Sequence, residues 1–269
     1  MASTPFASLL VTPEELHSAL IGSPYLRHII PVAVGQLSHL PSYEAQHVPG
    51  SIFFNMDEIR DRESPYPQML PSASHFAKSM TALGLQPDDI LVVYDALEVG
   101  LYSSPRVAWA WPLSTLPLAP QEYHVHNPDP KEVISYDELR DLLLPDKRSD
   151  FQIIDARIPG RFSGAEPEMN ASLRSGHMPS ALNVPLASIL DEDKVILSAE
   201  ELKARFQAAG VDGDLPVVLT CNSGVTAAAL DLALQLSGYG MERRLYDGSW
   251  MEWTRRAQDD GLVVSSDER

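Results

Sequence analysis

The chain has a single cysteine, Cys221, in 269 residues. No intramolecular disulfide framework can form, which suits a reducing compartment and leaves stability to an ordinary hydrophobic core. Cationic residues are scarce as well: 20 Lys and Arg stand against 37 Asp and Glu, a formal net charge of −17. A nucleic-acid surface needs a basic stripe, so no nucleic-acid partner is expected. The same imbalance repels small anions at long range, so an anion site must be made locally by arginines and backbone N–H groups. No apolar run reaches the length of a transmembrane span, and no membrane partner is expected. Met1 to Thr12 contain neither Lys nor Arg, a poor match to an Arg-rich import presequence, and there is no secretory apolar segment. A cytosolic location is expected, with mitochondrial import left open because its signals are degenerate. No His/Cys/Asp/Glu cluster has metal-ligand spacing, and the glycines form no nucleotide-phosphate loop, so neither metal nor cofactor is expected.

The length suffices for two domains, and the two halves repeat one another. Thr12-Pro13-Glu14-Glu15-Leu16 parallels Ser135-Tyr136-Asp137-Glu138-Leu139, each a capping box opening a helix. Ile29 to Val34 parallels Gln152 to Arg157, each a strand, and His47-Val48-Pro49-Gly50 parallels His177-Met178-Pro179-Ser180. Helices over 74–83 and 199–209 both end at a glycine, Gly84 and Gly210, suited to the residue after a helix. Ile90 to Asp95 then parallels Val217 to Cys221, with Asp95 near the place that Cys221 takes in the second half. Strands alternating with helices predict α/β domains built on mainly parallel sheets, whose sites form at the carboxyl ends of strands.

Cys221 lies at such an end. Val217-Val218-Leu219 reads as a buried strand, and from Val225 the apolar spacing turns helical through Ala229, Leu232, Ala233 and Leu236. Asn222, Ser223 and Gly224 between them can turn several N–H groups toward one point. A thiolate or persulfide there would be held by those groups and by the helix N-terminus. A cysteine phosphatase would use the same architecture but needs an arginine six residues after the cysteine. That position is Ala227, and no arginine occurs before Arg243, so developing phosphoryl charge would go unsupported.

The repeat is incomplete. After the catalytic-loop helix the second half continues with Arg244 to Gly248, a strand and turn, and a helix through Trp253. After Trp111 the first half has only a stretch with prolines at 117, 120, 128 and 130, and Tyr123–Val125 as a strand fragment. The organisation expected is an inactive domain over 8–114, shortened by its last strand and helix, a linker over 115–131, and a catalytic domain over 132–260.

The loop Cys221-Asn222-Ser223-Gly224-Val225-Thr226 resembles that of the rhodanese superfamily, in particular its mercaptopyruvate sulfurtransferases, and departs from them only at Asn222. So do Ser64 to Pro71, Tyr102-Ser103-Ser104-Pro105-Arg106-Val107, Gly160-Arg161-Phe162-Ser163-Gly164, Glu166-Pro167-Glu168 and Leu245-Tyr246-Asp247-Gly248-Ser249-Trp250. The resemblance spans about Thr12 to Trp253 and implies two rhodanese-like domains, one inactive and one catalytic. It implies Cys221 as nucleophile, the loop from Asn222 through Gly224 and Val225 to Thr226 around the transferred sulfur, and Arg161 on the anionic end of the donor. Arg157 reads equally as an ion-pair residue. Ser223 and His47 match two members of a serine–histidine–aspartate set proposed for mercaptopyruvate enzymes, but the stretch Gly35 to His47 offers only Glu44 as an acid. A second donor-binding arginine of that family falls at Asn170, which brings no charge. Arg174 is four residues on. His177 reads as a turn stabiliser, Trp250 and Trp253 as core aromatics.

The activity implied is a double displacement. Cys221 takes sulfur from a small anionic donor, thiosulfate or 3-mercaptopyruvate, and passes it to cyanide, a thiol, or a thioredoxin-like or sulfur-carrier protein. The alternative is a sulfur-relay module with weak turnover of small donors.

Overall fold

The computed structural model describes residues 6–22, 28–110, 131–143, 150–257 and 261–265. The expected linker over 115–131, with the fragment Tyr123–Val125, lies outside the described residues except for Lys131.

The first half begins with α1 (Pro13–Gly22), where Thr12 and Glu15 close the expected capping box: Glu15 N–H donates to Thr12 Oγ1 and Thr12 N–H to Glu15 Oε2. There follow β1 (Ile29–Gly35), α2 (Leu40–Ala45), β2 (Ile52–Asn55), α3 (Ala73–Ala82), β3 (Ile90–Asp95) and α4 (Ser104–Ala110). The second half runs β4 (Val133–Ile134), α5 (Tyr136–Leu142), β5 (Gln152–Asp155), α6 (Pro159–Ser163), β6 (Leu182–Asn183) and α7 (Ala199–Ala208), then β7 (Val217–Thr220), α8 (Val225–Leu236), β8 (Arg243–Tyr246) and α9 (Ser249–Arg256). Gly84 and Gly210 carry φ of +77° and +84°, the left-handed residue that ends α3 and α7. None of the described helices is long and apolar enough to cross a membrane.

Every strand pair in both sheets is parallel. The first sheet has the order β2-β1-β3 and the second β4-β8-β7-β5-β6. Superposing β1, β2 and β3 on β5, β6 and β7 shows where the repeat stops: among the described residues nothing continues past β3, whereas β8 and β4 continue past β7. Burial follows. All four residues of β7, paired on both edges, are buried, and none of the six in β3 is. Among the described residues the first half shows neither a closing strand nor a closing helix, and the proline-rich stretch on which that expectation falls lies outside them.

The halves meet through helices. α8 is apolar nearly all round, with Ala227, Ala228, Ala229, Leu230, Ala233 and Leu234 at 0–1 % exposure, the pattern of a helix enclosed on every side. Its first residue, Val225, packs into the first half's core with Val34, Phe54 and Val107. Trp109 of α4 packs against the second half's core in return.

Candidate active site

Cys221 follows directly on β7, the strand whose neighbours are β5 and β8, and is 2 % exposed. Three small residues then turn the chain into α8, and Gly224 takes φ +79° as its N-cap. The N–H groups of Asn222, Ser223 and Gly224 have no acceptor among the described residues, so they and the first N–H groups of α8 are left free beside the cysteine for an outside anion. The loop's carbonyls are held instead. Trp250 N–H donates to the Cys221 carbonyl at 2.9 Å and Met251 N–H to that of Asn222 at 3.1 Å, so the first free N–H groups of α9 clamp the nucleophile's backbone. Cys221 N–H donates to Ser249 Oγ at 3.2 Å, and that hydroxyl donates to the Tyr246 carbonyl at 2.8 Å.

Only glycine fits at 224. A Cβ there would stand 2.8 Å from the Asp247 carbonyl oxygen, a backbone atom that cannot swing aside. The left-handed φ adds about 1–2 kcal/mol for any other residue. Gly224→Ala is expected to fold but to lose sulfur-transfer activity by about tenfold or more, since small misplacements of a reacting atom are costly. A steady-state assay beside a thermal melt checks this, and wild-type activity would show that the loop tolerates the shift.

Two arginines follow the strand end that lies beside the cysteine, because Asp155 at the end of β5 pairs in register with Thr220 of β7. Arg157 is wholly committed. It makes a bidentate contact with Asp155 (Nη2 to Oδ2 at 2.6 Å), donates to Glu168 at 2.9 Å and to the Gly176 carbonyl at 2.7 Å, and lies 3.9 Å over the ring of Trp250. All three charged groups are buried. Arg161, on α6, is the opposite case: its Nε is buried without a partner among the described residues. Asp155, the acid that could have neutralised it, is taken by Arg157.

In the first half the matching cradle is filled by the protein itself. The Asp95 carboxylate accepts from the N–H groups of Tyr102, Ser103 and Ser104 at 3.0, 2.7 and 3.0 Å and from Ser104 Oγ at 2.6 Å. This half uses the N–H nest for a built-in anion and has no room for a second. Desolvation raises the Tyr102 phenol pKa, with the charges of Cys221 and Asp95 adding to it.

The rhodanese-like domain family matches residues 135–256. Human 3-mercaptopyruvate sulfurtransferase is 36 % identical over 82 % of this chain and 81 % of its own length. Rat thiosulfate sulfurtransferase is 37 % identical over 82 % of each. The crystal structure of the Tum1 protein from Saccharomyces cerevisiae matches 96 % of this chain and 98 % of its own, at 31 % identity and a TM-score of 0.80. The chain belongs to the rhodanese family. It is a tandem-domain sulfurtransferase of the mercaptopyruvate and thiosulfate type, with Cys221 buried in its rhodanese-like domain.

In this rhodanese the remaining expected positions are dispersed. Asn170 is exposed, and its Oδ1 accepts from Ser172 N–H and Oγ at 3.0 and 2.8 Å in a local turn. The Arg174 guanidinium donates to the Ala257 carbonyl. His47 is exposed, stacks on Tyr43 and has Nδ1 2.8 Å from the Tyr43 carbonyl. No hydrogen bond among the described residues joins it to Ser223. His177 is buried, stacked on Phe162 with Nδ1 2.9 Å from the Phe162 carbonyl, and bridges backbone to backbone with Val264. Trp250 and Trp253 are fully buried. Sequence reasoning gave no role to Tyr102, Arg106, Asp247 or Ser249. All four lie in motifs singled out for their resemblance, which was the only signal available.

Proposed function

We propose that this rhodanese moves sulfane sulfur from thiosulfate or 3-mercaptopyruvate through a Cys221 persulfide to cyanide, a small thiol, or a thioredoxin-like or sulfur-carrier protein. The Cys221 thiolate attacks the outer sulfur of thiosulfate, the S–S bond breaks, and sulfite leaves. With mercaptopyruvate the C–S bond breaks and the carbon takes a proton to leave as pyruvate. The acceptor then attacks the persulfide and returns the thiolate. The observation that carries this reading is the set of unpaired N–H groups from Asn222 to Gly224 around a buried lone cysteine. Gly224, Val225 and Thr226 complete the wall. The uncommitted Nε of Arg161 supports a role for it as the cation for the donor's anionic end. Ser223 and His47 belong to the proposal as proton-handling groups that would meet only with substrate bound, and a cytosolic location, with mitochondrial import open, belongs to it too.

Donor preference follows from what is missing. Neither Asn170, tied to Ser172, nor Arg174, tied to Ala257, offers a second free cation for a carboxylate. A charge-assisted contact contributes roughly 1.5–3 kcal/mol against about 1 for a neutral amide. Mercaptopyruvate use should therefore run roughly twofold to thirtyfold below what a second arginine would allow, with thiosulfate less affected. Parallel assays of both donors, in wild type and Asn170→Arg, test this. The expected result is a selective rise in kcat/KM for mercaptopyruvate, and no change would remove position 170 from the donor site. The same missing cation favours a second reading, a sulfur relay fed by a protein, which negligible turnover of both small donors would support.

A further inference from the structure

The first half has no nucleophile, yet it reaches into the catalytic loop. Arg106 of α4 is 3 % exposed, and its Nη2 donates to Asp247 Oδ1 in the second half and, at 3.1 Å, to the Gln68 carbonyl. Asp247 Oδ2 accepts from Leu70 N–H at 2.9 Å, so two segments of the first half close on this one buried carboxylate. Arg106 Nη1 is buried with no partner among the described residues, 3.5 Å from where a Cβ on Gly224 would stand.

Asp247 opens the turn that grips the nucleophile. Its carbonyl oxygen abuts Gly224. Ser249, two residues on, accepts the Cys221 N–H, while Trp250 and Met251 hold the carbonyls of Cys221 and Asn222. Ser249 does this at φ +48°, a conformation unusual for a residue with a side chain and one that its surroundings must enforce. A buried carboxylate stripped of its cation would turn toward water and loosen the turn. Its field would also oppose a thiolate on the adjoining loop.

We propose that Arg106 is a positioning residue for the catalytic loop, through which the first half orders Cys221 by way of the Arg106–Asp247 pair. The proposal rests on the reading of Cys221 as the sulfur carrier. The other charged or titratable groups on the segments packed here include Tyr102 and Asp95 from the first half, Asp155, Arg157 and Arg161 from the end of β5 and α6, and Tyr246 and Glu252 on either side of Asp247. They are unchanged in the variants below, so a difference reports the pair.

Cys221 is the only cysteine, so alkylation by iodoacetamide, followed by intact mass against pH, reads this thiol alone and needs no sulfur donor. The pH midpoint of alkylation should rise in Arg106→Met, where Asp247 is uncompensated. It should fall in Asp247→Asn, where Arg106 is, and return toward wild type in the double variant. Sulfur-transfer kcat should drop by about tenfold to a hundredfold in Arg106→Met with donor KM little changed, and Arg106→Lys should recover part of it. A purely structural pair would lower the melting temperature without opposed midpoints. Single variants that shift the same way, or a folded Arg106→Met with wild-type midpoint and kcat, would overturn the proposal. Should Arg106→Met not fold, a lowered midpoint in Asp247→Asn that the double variant restores supports it, and an unchanged midpoint overturns it. A wild type that takes sulfur from neither donor ends the small-donor reading and leaves the relay, while the alkylation shifts still decide the positioning proposal.

Discussion

Cys221→Ser is expected to accept no sulfur and to have no measurable transferase activity. The sole thiol is gone, and a serine hydroxyl at the same place is neither ionised near neutral pH nor able to form a persulfide. Intact mass after incubation with donor should show one added sulfur on wild type, removed by cyanide, and none on the variant. The fold should survive, because the side chains are close in size, at a cost of about 1–3 kcal/mol if the buried hydroxyl finds no partner. Residual transfer by the variant would show that the double displacement is wrong.

The largest stability effect is expected at Arg157. Its guanidinium pairs with two buried carboxylates, Asp155 and Glu168, which are 1 % and 2 % exposed at the side chain. Taking the cation away leaves both charges in a poorly solvated interior, and breaking such a buried pair costs about 3–5 kcal/mol. For a domain of this size Arg157→Met should lower the melting temperature by roughly 6–20 °C. The exposed pair of Arg140 with Asp141 makes the contrast, since solvent screens it, and Arg140→Ala should change stability little. A melting temperature for Arg157→Met within a degree or two of wild type would mean that the network relaxes or takes up water.

The catalytic loop was legible in the sequence because everything that makes it is local. The β-branched run Val217-Val218 sets the strand, the small residues Asn222 to Gly224 set the turn, and the apolar spacing from Val225 sets the helix. The parallel sheets were legible for a related reason, since alternating elements are a property of short windows. Arg157 and Arg161 were not separable in that way. Both follow the same strand, and only the folded chain brings Glu168 and Trp250 onto one of them and leaves the other uncommitted. Asn170 and Arg174 likewise differ in sequence by charge, yet the fold turns one toward Ser172 and the other toward Ala257.

What the sequence by itself determined is the local frame of the chemistry: a lone cysteine at the end of a strand, and the small residues that turn the chain from it into a helix. The tertiary structure decided how that chemistry is held. Ser249 reaches Cys221 from 28 residues away, and Arg106 reaches Asp247 from 141. No periodicity or spacing carries such contacts. The first exists because β8 runs beside β7 and brings the start of α9 to the end of that strand; the second because Asp247 is buried where α4 meets the second half, and a buried carboxylate must be given a cation.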